Sequence, residues 1–313
     1  MFGASPNAQP REDIESSIPL PTSVEEITTA WLSQALDCGV KEAELVKVIS
    51  GTLRKILIKL EYLEENDMSQ RLCTKGRFNP GLLAAYPETK ATYRGEAEFY
   101  YYVAPMTQMR LPPAFHCGTD TGSGQGIVII SDMSDWDYKF DEGRDVWPAE
   151  RILSGAEDLA SLHAGTWRVV LATLAPEAWA ARMERPPPVP PSTMCSECLL
   201  FSDWQGALSG SAFHDVSYPI ANSMATEGHR GHEKAALDHY LASLHKYGGL
   251  RLTRDEIWDE YRKQMLHRLR WALTPPDLQP DEIVFGITVR TCTAVIGHQT
   301  LEPLESLPEY VLE

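Results

Sequence analysis

Several things are scarce in this chain, and each scarcity removes a class of function. Basic charge is the first: 28 Lys and Arg stand against 44 Asp and Glu, a formal net charge of −16 over 313 residues. That balance argues against nucleic acid or an anionic membrane as a standing partner, yet one local basic pocket is enough to hold a nucleotide. Long apolar runs are the second. The longest purely aliphatic stretch, Ile127 to Ile130, is far too short to span a bilayer. Met1 to Pro21 is rich in Pro, Ser and charge and has no apolar core, so a secretory signal is not expected and a cytoplasmic location is. Cysteine is the third, since six in a chain of this size make no disulfide scaffold. Cys195-Ser196-Glu197-Cys198 is a CxxC without a second Cys or His pair at zinc-finger spacing, and two reduced thiols are the expected reading. No Gly-x-Ser-x-Gly elbow occurs, which leaves a serine hydrolase without its signature.

One absence is local. Between Glu184 and Ser202 there is no Asp, no Asn and no His, and the only acids are Glu184 and Glu197. Arg185-Pro186-Pro187-Pro188-Val189-Pro190-Pro191 fills the start of that stretch. Its prolines fix φ and remove N–H donors, which favours an extended polyproline run.

What is present is ordinary for a globular protein, with 43% hydrophobic and 23% charged residues. The length allows two lobes and a sizeable core. Residues 1–21 read as a flexible tail. From Val24 to Leu36 apolar residues recur at helical spacing, with Thr22 or Ser23 as N-cap. Three β-rich runs follow, Leu45–Ile49, Ile56–Leu63 and Arg71–Lys75, with the turn Ser50-Gly51-Thr52-Leu53-Arg54 between the first two. Ala91 to Met106, dense in Glu and Tyr, predicts a helix ending near Pro105. Phe115 and Gly126–Ile130 predict two more strands with a hairpin over Gly122–Gly126.

After Pro148 the texture turns helical, with candidates over Ala149–Leu171, Glu233–Tyr247 and Thr253–Leu273. Thr253 and Glu256 form a capping box for the last of these. The pattern is α+β: a small β-rich lobe of about five antiparallel strands and one helix over residues 22–132, and a larger helical lobe over 133–313.

Several residues carry chemistry within that frame. Lys75 lies on a predicted strand in Leu72-Cys73-Thr74-Lys75-Gly76, and Glu96 on a predicted helix in Arg94-Gly95-Glu96-Ala97-Glu98-Phe99-Tyr100. Taken singly, each reads as a solvated surface charge; as an ordered pair in one lobe they read as a lysine kept charged and aimed by a carboxylate. Gly51 and Thr52 sit in a turn that suits a phosphate-covering loop and equally an ordinary hairpin. Leu159-Ala160-Ser161-Leu162-His163-Ala164, with Trp167, places His163 on an apolar helix face, where a packed, hydrogen-bonded core histidine is the expected role. Phe201-Ser202-Asp203-Trp204-Gln205 puts an acid in a turn, followed by Phe213-His214-Asp215-Val216.

Taken in this order, these pieces resemble the choline-kinase-like and ecdysteroid-kinase-like branch of the aminoglycoside phosphotransferase family, fungal members in particular. The likeness runs from about Val24 to about Glu302. It implies a protein-kinase-like two-lobed fold, ATP and Mg²⁺ as cofactors, and a small-molecule acceptor of alcohol or amino-alcohol type. It assigns Lys75 to the ATP phosphates, Glu96 to orienting Lys75, Gly51 and Thr52 to the phosphate loop, Ile129–Met133 to the linker beside the adenine, and Asp203 to Mg²⁺. Asp215 is expected as a buried structural acceptor. The family's catalytic loop, a base followed by an Asn, should precede Asp203, and here the proline run stands instead. No catalytic residue is therefore assigned. Loss of a positioned base costs roughly 10²–10⁴-fold in rate. The expectation is a phosphotransferase-like protein with impaired catalysis. The alternatives are a non-catalytic pseudokinase that binds nucleotide or scaffolds, and an incomplete version of an active kinase.

Overall fold

The computed structural model describes residues 14–50, 53–85, 90–135, 146–167, 204, 210–269, 273–274 and 279–305. The chain opens with helix α1 (Thr29–Leu36), then strands β1 (Val40–Ile49), β2 (Arg54–Tyr62) and β3 (Arg71–Gly76). A short helix, α2 (Pro80–Ala85), leads to α3 (Lys90–Glu98), and β4 (Ala114–Asp120) and β5 (Gln125–Ser131) complete the strands. The helical part comprises α4 (Ala149–Thr166), α5 (Ala212–Asn222), α6 (Thr226–Lys246), α7 (Arg254–Leu269) and α8 (Asp281–Gly297). The molecule is thus α+β, with a five-stranded sheet in its N-terminal part and helices after it. Among the described residues no helix is long and apolar enough to cross a membrane.

The strands pair antiparallel throughout, in the order β1-β2-β3-β5-β4. Period-two alternation sorts their side chains between two faces. Ile56 and Ile58 of β2, Leu72 of β3, and Ile127 and Ile129 of β5 pack with Trp31, Leu32 and Leu36 of α1. Their neighbours Leu57, Cys73, Val128 and Ile130 face the other way, into a cluster with Phe99 and Tyr100. That second cluster continues without a break into Ile152 and Leu159 of α4, Val216 and Ile220 of α5, and Leu237, Tyr240 and Leu244 of α6. One apolar core therefore joins the sheet to the helices.

Three elements differ from the periodicity reading. Helix α1 begins at Thr29, with the Thr28 hydroxyl capping it through the Trp31 N–H at 3.2 Å. Upstream, the Glu26 carboxylate accepts from the Thr22 N–H at 2.6 Å and its hydroxyl at 3.2 Å. This side-chain closure competes with a helical turn and explains why residues 22–28 are irregular. The helix expected over Ala91–Met106 is α-helical only through Glu98, then passes through a π-helical turn, Phe99–Val103, and a 3₁₀ turn, Ala104–Met106. Helix α6 starts at Thr226 rather than Glu233. The polar residues His229 and Arg230 had masked its first turns.

The described part of the expected tail is packed. Ile14 is buried with Ala97 and Tyr102, Glu15 bridges to Thr119, and Leu20 joins the α1 core. Glu15 also accepts from the Thr121 N–H at 2.6 Å and its hydroxyl at 2.9 Å. The flexible-tail reading therefore does not extend to residues 14–21.

Candidate functional site

Lys75 occupies β3 two residues after Cys73, so alternation turns its side chain toward the face on which α3 lies. Its Cα is in register with Lys55 on one side and Val128 on the other, in the middle of the sheet. Helix α3 approaches this face closely. A Cβ on Gly126 of β5 would collide with the backbone carbonyl of Tyr93, so a side chain at that position would push the helix off the sheet. The approach brings Glu96 over β3, and Lys75 Nζ donates to Glu96 Oε1 at 2.7 Å. The two residues are 2% and 1% exposed. Both expectations of a solvated surface charge are thereby excluded.

The pair is electrostatically consequential because both side chains are buried from solvent. Breaking a buried pair by removing one partner leaves an uncompensated charge, at a cost of about 3–5 kcal/mol. Glu96 Oε2 is buried and has no hydrogen-bond partner among the described residues. Beside the pair, burial pushes the Cys73 thiol up to about 12 against the pull of Lys75 and Lys55. That thiol is an inert wall.

Trp204 is the described residue adjacent in sequence to Asp203. Its ring stacks on Phe99 with centroids 3.9 Å apart and planes 6° from parallel. Phe99 begins the π-helical turn directly after α3, so the helix that carries Glu96 also holds the neighbour of Asp203. Asp203 itself, and Gly51 and Thr52, lie outside the described residues, as do Glu184–Ser202.

At the expected linker, β5 ends at Ser131. Asp132 is 3% exposed; it accepts from Arg71 Nη2 at 2.9 Å and from the Ser134 N–H at 2.9 Å. The carboxylate ties the start of β3 to the exit of β5, which is a structural role. Arg110 similarly clamps Asp158 of α4 and donates to Ser154 at 3.0 Å, anchoring the segment after the 3₁₀ turn to the helical part. Burial raises the Asp158 pKa, opposed by Arg110.

In the helical part, buried polar groups are organised around imidazoles. His163 on α4 is 7% exposed; its Nδ1 hydrogen-bonds the Tyr240 hydroxyl at 2.9 Å and its Nε2 lies 3.3 Å from Asp215 Oδ2. The other oxygen of Asp215 meets His214 Nδ1 at 3.0 Å, and His214 Nε2 bonds His267 Nδ1. Burial acts to raise the Asp215 pKa, but hydrogen bonds from His163 and His214 outweigh it and hold the carboxyl well below the usual range. Asp215 is an acceptor, as expected, although its side chain is 45% exposed rather than buried. His163 is a packed, hydrogen-bonded histidine.

A second imidazole–carboxylate cluster joins α6, α7 and the end of α8. Glu233 Oε1 lies 3.0 Å from His229 Nε2 and 2.8 Å from His298 Nε2, and accepts from the Tyr261 hydroxyl at 2.8 Å. Burial works against the charge on Glu233, yet its two imidazole neighbours hold the carboxyl down at about 2. The sequence reading passed over this cluster. The signal available to it was His229 and Glu233 four residues apart on one helical face; the third member comes from far along the chain.

Comparison of the chain with family models, curated proteins and solved structures found no match.

Proposed function

We propose that this chain is an ATP–Mg²⁺-binding, small-molecule-phosphotransferase-like protein in which phosphoryl transfer is impaired. One observation carries the reading: a lysine on a central strand of an antiparallel five-stranded sheet, buried and paired at 2.7 Å with a glutamate on the helix inserted between β3 and β4. Such a pair suits phosphate binding. The carboxylate keeps the ammonium charged and aimed, and the ammonium meets nucleotide phosphates as a point charge. In this reading the sheet with α1 and α3 forms a nucleotide lobe, and α4–α8 form the acceptor lobe of a kinase-like arrangement.

The stacking of Trp204 on Phe99 supports the magnesium assignment, since it ties the residue beside Asp203 to the lobe holding Lys75. A hard carboxylate there would suit Mg²⁺ shared with phosphate oxygens. The acceptor reading, an alcohol or amino alcohol, rests on the family resemblance alone. The missing base and Asn between Glu184 and Ser202 favour a second reading, a non-catalytic nucleotide binder or scaffold of the same fold.

Thermal-shift titration with ATP plus Mg²⁺ tests the nucleotide site: a concentration-dependent rise in Tm is expected for the wild type. Counting ADP released in the presence of small alcohols and amino alcohols separates the two readings. Turnover roughly 10²–10⁴-fold below ordinary kinase rates supports the impaired enzyme, and none at all supports the binder. Turnover at ordinary rates, about 1–100 per second, overturns the claim of impairment.

A further inference from the structure

We propose that His229, Glu233 and His298 form a structural site for a divalent transition-metal ion of the zinc class, independent of the nucleotide pocket. His229 and Glu233 sit one turn apart on α6, and His298 is the residue that caps α8. Their ligating atoms all lie within 4.8 Å of one another. Among the described residues, the nitrogen-bearing side chains in contact with Glu233 are these two imidazoles.

Burial makes the cluster demand a counter-charge. His229 and Glu233 are each 5% exposed, Tyr261 is not exposed at all, and the His298 side chain is 10% exposed. A carboxylate withdrawn from water is tolerated when it is paired or coordinates a metal. Hydrogen bonding alone leaves the cluster incompletely satisfied. Three groups crowd one oxygen, Glu233 Oε1, and the 2.8 Å approach of His298 Nε2 lacks hydrogen-bond alignment, so that nitrogen is buried without a hydrogen-bond partner. An ion between the three would accept both imidazole lone pairs and one carboxylate oxygen, leaving Tyr261 to donate to Glu233.

The donor set selects the ion. Two imidazoles and a carboxylate suit zinc and its first-row neighbours; Mg²⁺ and Ca²⁺ prefer all-oxygen shells, and Cu(I) prefers sulfur. Bonds of about 2.0–2.1 Å in tetrahedral array place ligand atoms roughly 3.4 Å apart. The present 2.8 and 3.0 Å separations would have to open by about half an ångström, within the reach of small rotamer shifts. Trp258 lies edge-on to His298 with ring centroids 5.3 Å apart, and Tyr261 closes another side. A water on the side where His298 is partly exposed would fill the fourth tetrahedral position, and such an ion would act as a clasp between α6, α7 and the end of α8.

The test uses the full chain purified without a histidine tag. Metal content is measured, the ion is stripped by dialysis against a chelator, and Co²⁺ is titrated back while the visible spectrum is recorded. We expect one Zn²⁺ per chain, a fall in Tm of about 5 °C or more on stripping that Zn²⁺ reverses, and one equivalent of tetrahedral Co²⁺ without thiolate charge-transfer absorption. Co²⁺ affinity should drop roughly 100-fold in His298→Gln. Sub-stoichiometric metal together with a chelator-insensitive Tm overturns the proposal, as does a thiolate spectrum, which would point to Cys195 and Cys198. Should His298→Gln fail to fold, the wild-type stoichiometry and stripping results decide alone.

Discussion

The sheet half and the helical half of this molecule pair several of their carboxylates by different chemistry, although Asp158 of α4, buried against Arg110, follows the pattern of the sheet half. In the sheet half the buried carboxylates face permanent cations, Glu96 against Lys75 and Asp132 against Arg71. In the helical half Asp215 and Glu233 face imidazoles. The sequence is polarised accordingly, since His116 is the only histidine before His163. A lysine or arginine pair holds its charge across the physiological range, whereas an imidazole's charge and ligating ability change close to neutrality. The sheet half thus sets an ammonium and a guanidinium against its buried carboxylates, where the helical half sets imidazoles.

The strongest way to break this contrast is to remove one member of the fixed pair. Lys75→Met leaves Glu96 buried and uncompensated, and chemical denaturation should show a loss of about 3–5 kcal/mol. The double change Lys75→Met with Glu96→Leu should recover most of it. A single-variant loss under about 1 kcal/mol would mean that the pair is not sealed from water.

The next effect is a pH dependence of the helical half. Glu233 has a folded pKa of about 2 against an ordinary 4.5. A depressed carboxylate contributes stability that is complete above its unfolded pKa and is lost as the pH falls through its folded one. In the metal-stripped chain its share, on the order of 3 kcal/mol, should therefore drain between about pH 4.5 and pH 2. Asp215 acts in the same direction. Denaturation curves over that range should flatten in Glu233→Gln; an unchanged slope would remove Glu233 from the account.

Smaller again is Gly126→Ala. The added methyl collides with the Tyr93 carbonyl, and a loss of about 1–3 kcal/mol is expected, with weakened nucleotide binding as α3 lifts Glu96 away from Lys75. The smallest is Thr253→Ala. The Thr253 hydroxyl and N–H both bond Glu256 at 2.7 Å, and loss of that capping box should cost about 1 kcal/mol by thermal denaturation.

Local signals made the sheet half the more legible of the two. Its strands alternate, its turns carry glycine, and Lys75 and Glu96 stand on elements that the periodicity predicts. Their meeting needed only a helix laid across a sheet. The helical half hid more. Helix α5 carries Pro219 in its interior, and α8 is rich in Ile, Val and Thr, so propensity argued against both. Packing of α5 on α7 and α8 overrides that preference. Glu233 meets His298 only because α8 returns alongside α7, a long-range event that no spacing along the chain announces.

Equilibrium binding of ATP in the presence of Mg²⁺, measured on the folded wild type, Lys75→Met and Glu96→Gln at neutral pH, tests the central claim most directly. Saturable one-to-one binding by the wild type, weakened at least tenfold (about 1.4 kcal/mol) in both variants, is the predicted result. Wild-type binding that survives both substitutions unchanged, or no ATP binding at all, would contradict it.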